Sequence, residues 1–177
     1  MDHADHVGLL RSAIATDGTW ADIGAGTGAS TLALAELLGP GGRIVAVDRD
    51  GGALRENAAF VAKRFPSVAL ETVKGDLTGG LTLPELDGLV AANSLHFVPR
   101  DRQIDVVRRL AGHLRPGGVF IVVEYDADRG NPWVPNPFSY ASWERLAAAA
   151  GLTATRRIGR VPSRFLGAIY SAASYRR

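Results

Sequence analysis

Thr19-Trp20-Ala21-Asp22-Ile23-Gly24-Ala25-Gly26-Thr27-Gly28 passes from an apolar strand-forming run into three closely spaced glycines. Leu34, Leu37 and Leu38 then follow at helical spacing. Glycines at such a strand-to-helix junction let the backbone take positive φ and let a ligand approach closely, while the free N–H groups opening the helix favour polar or anionic groups. The turn therefore predicts an α/β fold with a ligand at the end of its first strand. Turns of this kind occur in many nucleotide-binding proteins, and the residues around this one narrow the choice.

Outward from the turn, short apolar runs alternate with amphipathic stretches, the pattern of a parallel sheet covered by helices on both faces. The strand-like runs are 19–23, 43–47, 68–73, 86–92 and 119–124. A helix over roughly 2–15 precedes them. Leu54, Ala58, Val61 and Phe65 mark a helix before Pro66, and Ile104, Val107, Leu110, Ala111 and Leu114 mark another that Pro116-Gly117-Gly118 stops. Asn131-Pro132-Trp133-Val134-Pro135-Asn136-Pro137 reads as an irregular loop, because its prolines remove donors and fix the backbone. A short helix with Trp143, Leu146, Ala147 and Ala150 on one face follows. Runs over 153–158 and 165–172, joined through Gly159 and Pro162, then suggest an antiparallel hairpin.

Composition bounds the partners. With 177 residues, 46% of them hydrophobic, the chain holds one substantial core, so residues 1–177 read as one domain. Within it, 1–17 is an N-terminal helix able to act as a lid, 18–125 the ligand-binding core, 126–138 the proline-rich loop, and 139–177 a helix and terminal hairpin. The formal charge of +2 is too small to imply nucleic acid by itself. The absence of cysteine excludes disulfides, thiolate metal sites and a catalytic thiol. His3 and His6, with Asp2 and Asp5, lack a second cluster to complete a metal shell, so no metal is expected. A polar start and the lack of a long apolar run lead to the expectation of a cytoplasmic protein with no membrane partner. Eighteen arginines against two lysines suggest a GC-rich bacterial source.

Read as Gly24-x-Gly26-x-x-Ala29, the turn also fits the dinucleotide-binding fingerprint, with Asp48 where a ribose-binding acid belongs. Asp22 argues against that reading, since a carboxylate two residues before the first glycine suits a cationic ligand. Asp22-Ile23-Gly24-Ala25-Gly26-Thr27-Gly28 resembles motif I of the class I S-adenosylmethionine-dependent methyltransferases. Val47-Asp48, Gly75-Asp76-Leu77, the run Asp87 to His96, and Leu114-Arg115-Pro116-Gly117-Gly118 resemble that family's later motifs in the same order.

The resemblance implies a Rossmann-like three-layer α/β/α sandwich whose mostly parallel seven-stranded sheet has its last strand inserted antiparallel. It further implies S-adenosyl-L-methionine as cofactor. Gly24, Ala25, Gly26 and Gly28 would shape its turn, Asp22 and Asn93 would face its methionine portion, Asp48 and Arg49 its ribose, and Asp76 and Leu77 its adenine. As structural alternatives, Asp48 could cap a helix and Asp76 could serve a turn.

A sulfonium methyl is already activated, so catalysis can rest largely on holding an acceptor in line with it. A protonated oxygen or nitrogen acceptor would need a base, and His96, just past the fourth strand, is the candidate. Glu124 ends the fifth strand nearby. Tyr125, Trp133, Phe138 and Tyr140 cluster in sequence as a wall for a flat acceptor. Arg156, Arg157, Arg160 and Arg164 read as a charged edge that discourages strand pairing. Nucleic acid is further disfavoured because Asn93-Ser94-Leu95-His96 stands where the family's base-amino methylating members carry a Pro-Pro-Tyr type of motif. The expectation is a methyltransferase for a small-molecule O, N or C acceptor, acting as monomer or homodimer. An NAD-dependent oxidoreductase and a non-catalytic S-adenosylmethionine-binding module are the alternatives.

Overall fold

Parity along the first strand sets up the two faces of the fold. In β1 (Gly18–Ile23), Ala21 and Ile23 point into one apolar layer while Trp20 points into the other. The computed structural model describes all of Met1–Arg177. The remaining elements are α1 (His3–Leu10), α2 (Ala29–Leu38), β2 (Gly42–Asp48), α3 (Gly51–Arg64), β3 (Ala69–Lys74), β4 (Leu86–Ala92), α4 (Arg100–Ala111), β5 (Leu114–Tyr125), α5 (Tyr140–Ala149), β6 (Leu152–Ser163) and β7 (Gly167–Arg176). No helix is long and apolar enough to cross a membrane.

The strands form one seven-stranded sheet in the order β3-β2-β1-β4-β5-β7-β6. The first five pair in parallel, and β7 runs antiparallel between β5 and β6. This is the expected Rossmann-like three-layer sandwich with its last strand antiparallel. One face is packed by Val107 and Leu110 of α4 and by Trp143 and Ala147 of α5. The other is packed by Leu9 and Leu10 of α1, Leu34 and Leu38 of α2, and Val61 of α3. Strand order reverses between β1 and β4, so the chain leaves a crevice there at the strands' carboxyl ends, where open α/β sheets bind ligands.

Several sequence expectations change at this level. The first helix ends at Leu10 and a 3-10 turn carries it only to Ala13, short of residue 15. Leu114 opens β5 instead of closing α4, whose buried stripe is Gln103, Val106, Val107, Leu110 and Ala111; Ile104 is exposed. The hairpin turn is at Arg164–Leu166, and Gly159 and Pro162 lie inside β6. Gly159 is small for a packing reason: a Cβ there would stand 2.8 Å from Ser171 Oγ and 3.2 Å from the Leu9 Cα. The register of β6 on β7 shifts beside it.

Candidate active site at the carboxyl ends of the parallel strands

The glycine turn is built by backbone of positive φ and by a carboxylate from the neighbouring strand. Gly24, Gly26 and Gly28 take φ of +76°, +51° and +101°. A Cβ on Gly24 would stand 2.5 Å from Ser94 Cβ, whereas one on Gly26 would meet nothing within 4 Å, leaving open space against the backbone. Gly24 and Ala25 N–H both donate to Val47 O, and Gly26 N–H donates to Asp48 Oδ2 at 2.8 Å. The other Asp48 oxygen accepts from Asp50 N–H at 2.8 Å. Asp48 therefore holds the turn in shape as well as lining the space above it.

That space is a cavity of about 400 Å³ lined by Gly24, Gly26, Asp48, Arg49, Asp76, Leu77, Asn93 and Phe97, among others. Four strand ends, β1 to β4, meet around it. Asp76 is set by an Asx turn, in which Thr78 N–H and Oγ–H donate to its Oδ1 at 2.7 and 2.6 Å. Those bonds hold its carboxyl below the usual range. Asn93 has a left-handed φ of +50°, and its buried Oδ1 has no protein partner. That leaves an acceptor at the cavity wall free to receive a hydrogen bond.

Asp22, expected at the methionine portion, does not line the cavity. On β1 it shares parity with Trp20, so its carboxyl enters the layer beneath α2 and is fully buried. Ser30 and Thr31 in the first turn of α2 donate to its Oδ2 at 2.8 and 2.6 Å, and Asn57 of α3 donates to Thr31 Oγ1. Burial pushes its pKa up to about 6. Ala25 and Gly28 also leave the cavity wall. Ala25 packs with Ala46 and Leu54, and a Cβ on Gly28 would fall 2.6 Å from Asn57 Oδ1. Asn57 went unnoticed in the sequence, although its helical spacing with Leu54 and Val61 marks it as inward-facing.

The proposed aromatic wall disperses. Phe138 is buried and stacks on Trp143 at 5.7 Å, so it belongs to the core. Tyr140 packs edge-on against Tyr170 with the Arg157 guanidinium 4.9 Å from its ring centroid. Trp133 is 79% exposed at the tip of the proline-rich loop, and neither it nor Tyr125 lines the cavity. The aromatic residue that does line it is Phe97, 59% exposed, on the 3-10 turn after β4.

His96 and Glu124, noted separately in the sequence, meet. His96 Nδ1 lies 3.0 Å from both Glu124 oxygens, with the two side chains 4% and 0% exposed. Tyr125 N–H donates to Glu124 Oε1 at 2.8 Å, and the His96 carbonyl accepts from Asn136 N–H and Nδ2–H of the proline-rich loop. Three of the four clustered arginines have partners within the fold: Arg157 and Arg160 approach Asp126, and Arg156 donates to Ser12 O; beyond the cluster, Arg176 donates to Gly112 O.

Comparison with known proteins gives the class. The methyltransferase domain family matches residues 21–120, more than half of the chain and the whole of the glycine turn and cavity. The chain belongs to this family, that of the class I S-adenosylmethionine-dependent methyltransferases. It is similar to the cypemycin N-terminal methyltransferase of a Streptomyces species, with 33% identity over 55% of this chain and 38% of that protein. It is also similar to the ribosomal RNA small subunit methyltransferase H of Verminephrobacter eiseniae, with 32% identity over 58% of this chain and 34% of that protein. The chain thus spans between a third and two fifths of the length of these two relatives. Among solved structures, the 1,6-didemethyltoxoflavin-N1-methyltransferase of Burkholderia thailandensis superposes with a TM-score of 0.76 at 21% identity, covering 99% of this chain and 79% of that one.

Proposed function

We propose that residues 1–177 act as one cytoplasmic methyltransferase domain, monomeric or homodimeric, that transfers a methyl group from S-adenosyl-L-methionine to an O, N or C atom of a small molecule. The observation that carries this reading is the meeting of Asp48, Asp76, Asn93 and the open backbone of Gly26 around one cavity. Asp48 is suited to a ribose diol, since each of its oxygens keeps a lone pair after its backbone contact. Asp76 suits an adenine amino group, and the unpaired Asn93 Oδ1 suits a donor such as an ammonium. The cofactor supplies a sulfonium methyl open to direct attack, so this chain's residues need only bind, orient and manage a proton.

The antiparallel β7 weighs against the oxidoreductase alternative, because a dinucleotide-binding sheet runs 3-2-1-4-5-6 with all strands parallel. The Burkholderia neighbour was solved with bound 1,6-didemethyltoxoflavin and S-adenosylhomocysteine, which supports both the cofactor and a small acceptor. A ribosomal RNA acceptor is the second reading, favoured by the Verminephrobacter relative and disfavoured by arginines already engaged within the fold.

Calorimetry with S-adenosylhomocysteine and NAD tests the cofactor. The expected result is micromolar or tighter binding of S-adenosylhomocysteine, none of NAD, and a loss of about 1–3 kcal/mol in Asp48→Ala. Binding of NAD instead would overturn the proposal. Incubation with methyl-labelled cofactor and either a metabolite extract or ribosomal RNA then separates the two acceptors, and binding with no label transfer to anything marks a non-catalytic module.

A further inference from the structure

Large apolar side chains left in water collect on the loops at one end of the sheet. Phe97 follows β4, Trp133 stands on the proline-rich loop after β5, and Phe165 is in the turn joining β6 to β7; they are 59%, 79% and 67% exposed. That turn lies at the same end, because Asp126 N–H, just past β5, donates to Ala168 O at the start of β7. The strands concerned, β4, β5, β7 and β6, are neighbours in the sheet and together span about 14 Å. The other exposed large apolar side chains, Met1, Phe60 and Ile104, lie at the chain's start or on helices. Trp133 is held in place: Asn131 Oδ1 accepts from both Trp133 N–H and Val134 N–H at 2.9 Å, and Val134 is buried, so a fixed turn keeps the indole outward.

Arg129 shares the Trp133 loop, and Arg164 precedes Phe165. Both arginines are exposed, and neither pairs with a carboxylate, unlike Arg157 and Arg160, which approach Asp126. Aromatic rings on three separate loops, with polar backbone and arginines between them, do not make the continuous apolar core that a stable contact with a second copy needs, which buries upward of about 1,000 Å². A fluid anionic surface closes around each ring separately. Indole and phenyl groups settle at the headgroup level, and guanidinium groups pair with lipid phosphates. The lack of a spanning run, from which the sequence reading expects no membrane partner, bears only on crossing a bilayer; lying on one needs no such run.

We infer that this end of the sheet, from Phe97 to the turn between β6 and β7, docks on an anionic lipid surface, with Trp133 and Phe165 inserted at headgroup level and Arg129 and Arg164 on the lipid phosphates. Docking of this kind stands whether or not the cavity transfers methyl groups. Phe97 also lines the cavity, so the cavity opens beside the docked surface.

The test uses the whole chain and vesicles either of equal parts phosphatidylglycerol and phosphatidylcholine or of phosphatidylcholine alone. Trp20 and Trp143 are 3% and 0% exposed, so a change in emission on adding vesicles reports Trp133. The mixed vesicles should carry the protein upward in flotation, shift its emission to the blue and, when their acyl chains are brominated, quench it. Read by flotation, Trp133→Ala and Phe165→Ala should each weaken partitioning by about tenfold. Arg129→Gln combined with Arg164→Gln should weaken it by about tenfold or more and remove most of its salt dependence. Phe60→Ala, on α3, should change nothing. Thermal midpoints of all variants should match the wild type, since the side chains removed are exposed. Mixed vesicles that neither float the protein nor shift its emission overturn the inference, as does equally tight binding to phosphatidylcholine alone. Shielding of Trp133 from acrylamide without vesicles, in a protein that sediments as a dimer, would make a second copy the occupant and overturn it too.

Discussion

At the scale of single residues, Asp22 shows how one position can serve shape and not contact. Its carboxyl is paired through Oδ2 to two hydroxyls at the start of α2, where the helix dipole favours negative charge, yet Oδ1 is buried with no partner. Burial dominates and raises its pKa from 3.8 to about 6. Below pH 3.8 the group is protonated in both folded and unfolded chains. Between 3.8 and 6 the unfolded chain ionises first, so this residue's contribution falls by about 3 kcal/mol as pH rises through that window and is constant above it. Asp22→Asn removes the slope. Urea unfolding of both proteins at pH 3.5 and pH 7 should show Asp22→Asn gaining about 3 kcal/mol on the wild type between the two, and parallel curves would refute the assignment.

At the scale of elements, the proline-rich segment is a tethered loop. Asp128 accepts from Ser139 N–H at 3.0 Å, Ser139 Oγ at 2.9 Å and Ser142 Oγ at 2.7 Å, which joins the loop to the first turn of α5. Asn131 and Val134 exchange backbone bonds across the tip, Gln103 donates to Asn136 O, and Asn136 reaches the His96 carbonyl. The backbone and hydroxyl donors hold the Asp128 carboxyl below the usual range. Its stabilising contribution is therefore present above the ordinary carboxylate pKa and lost as pH falls through the lowered one. Asp128→Ala should speed amide exchange at Asn131, Val134 and Asn136 by about tenfold or more, the equivalent of one lost hydrogen bond, with little change in β1 or β2. Unchanged exchange would mean that the prolines alone hold the loop.

At the scale of the whole molecule, the terminal hairpin completes the sheet instead of decorating it. Trp143 is the joint. Fully buried, it packs on Phe120 of β5 at 5.5 Å and on Phe138, and its indole N–H donates to Ser174 of β7. One side chain thus ties α5, β5, β7 and the end of the loop. Trp143→Ala should cost about 3–5 kcal/mol and lower the thermal midpoint by roughly 6–20 °C, read by calorimetry. A shift within a few degrees would show that the layer repacks around the gap.

Periodicity, glycine placement and motif order were local enough for the sequence alone to determine the α/β alternation, the turn at Gly24–Gly28, the acids Asp48 and Asp76 and the class of the domain. Those features depend on neighbours within a few residues, or on a pattern repeated along the chain. Asp22 was within reach too, since its parity with Trp20 on β1 already assigns it to a buried face. What tertiary structure alone decided came from contacts across long separations. The pairing of His96 with Glu124 joins residues 28 apart in sequence, and Phe138 enters the core because Trp143 and Phe120 wait there for it. Phe97 reaches the cavity wall because a 3-10 turn follows β4. Aromatic residues clustered in sequence scattered in space, because each went to the nearest apolar layer or out to solvent. Burial depends on what the sheet order brings overhead, and that order is a property of the whole chain.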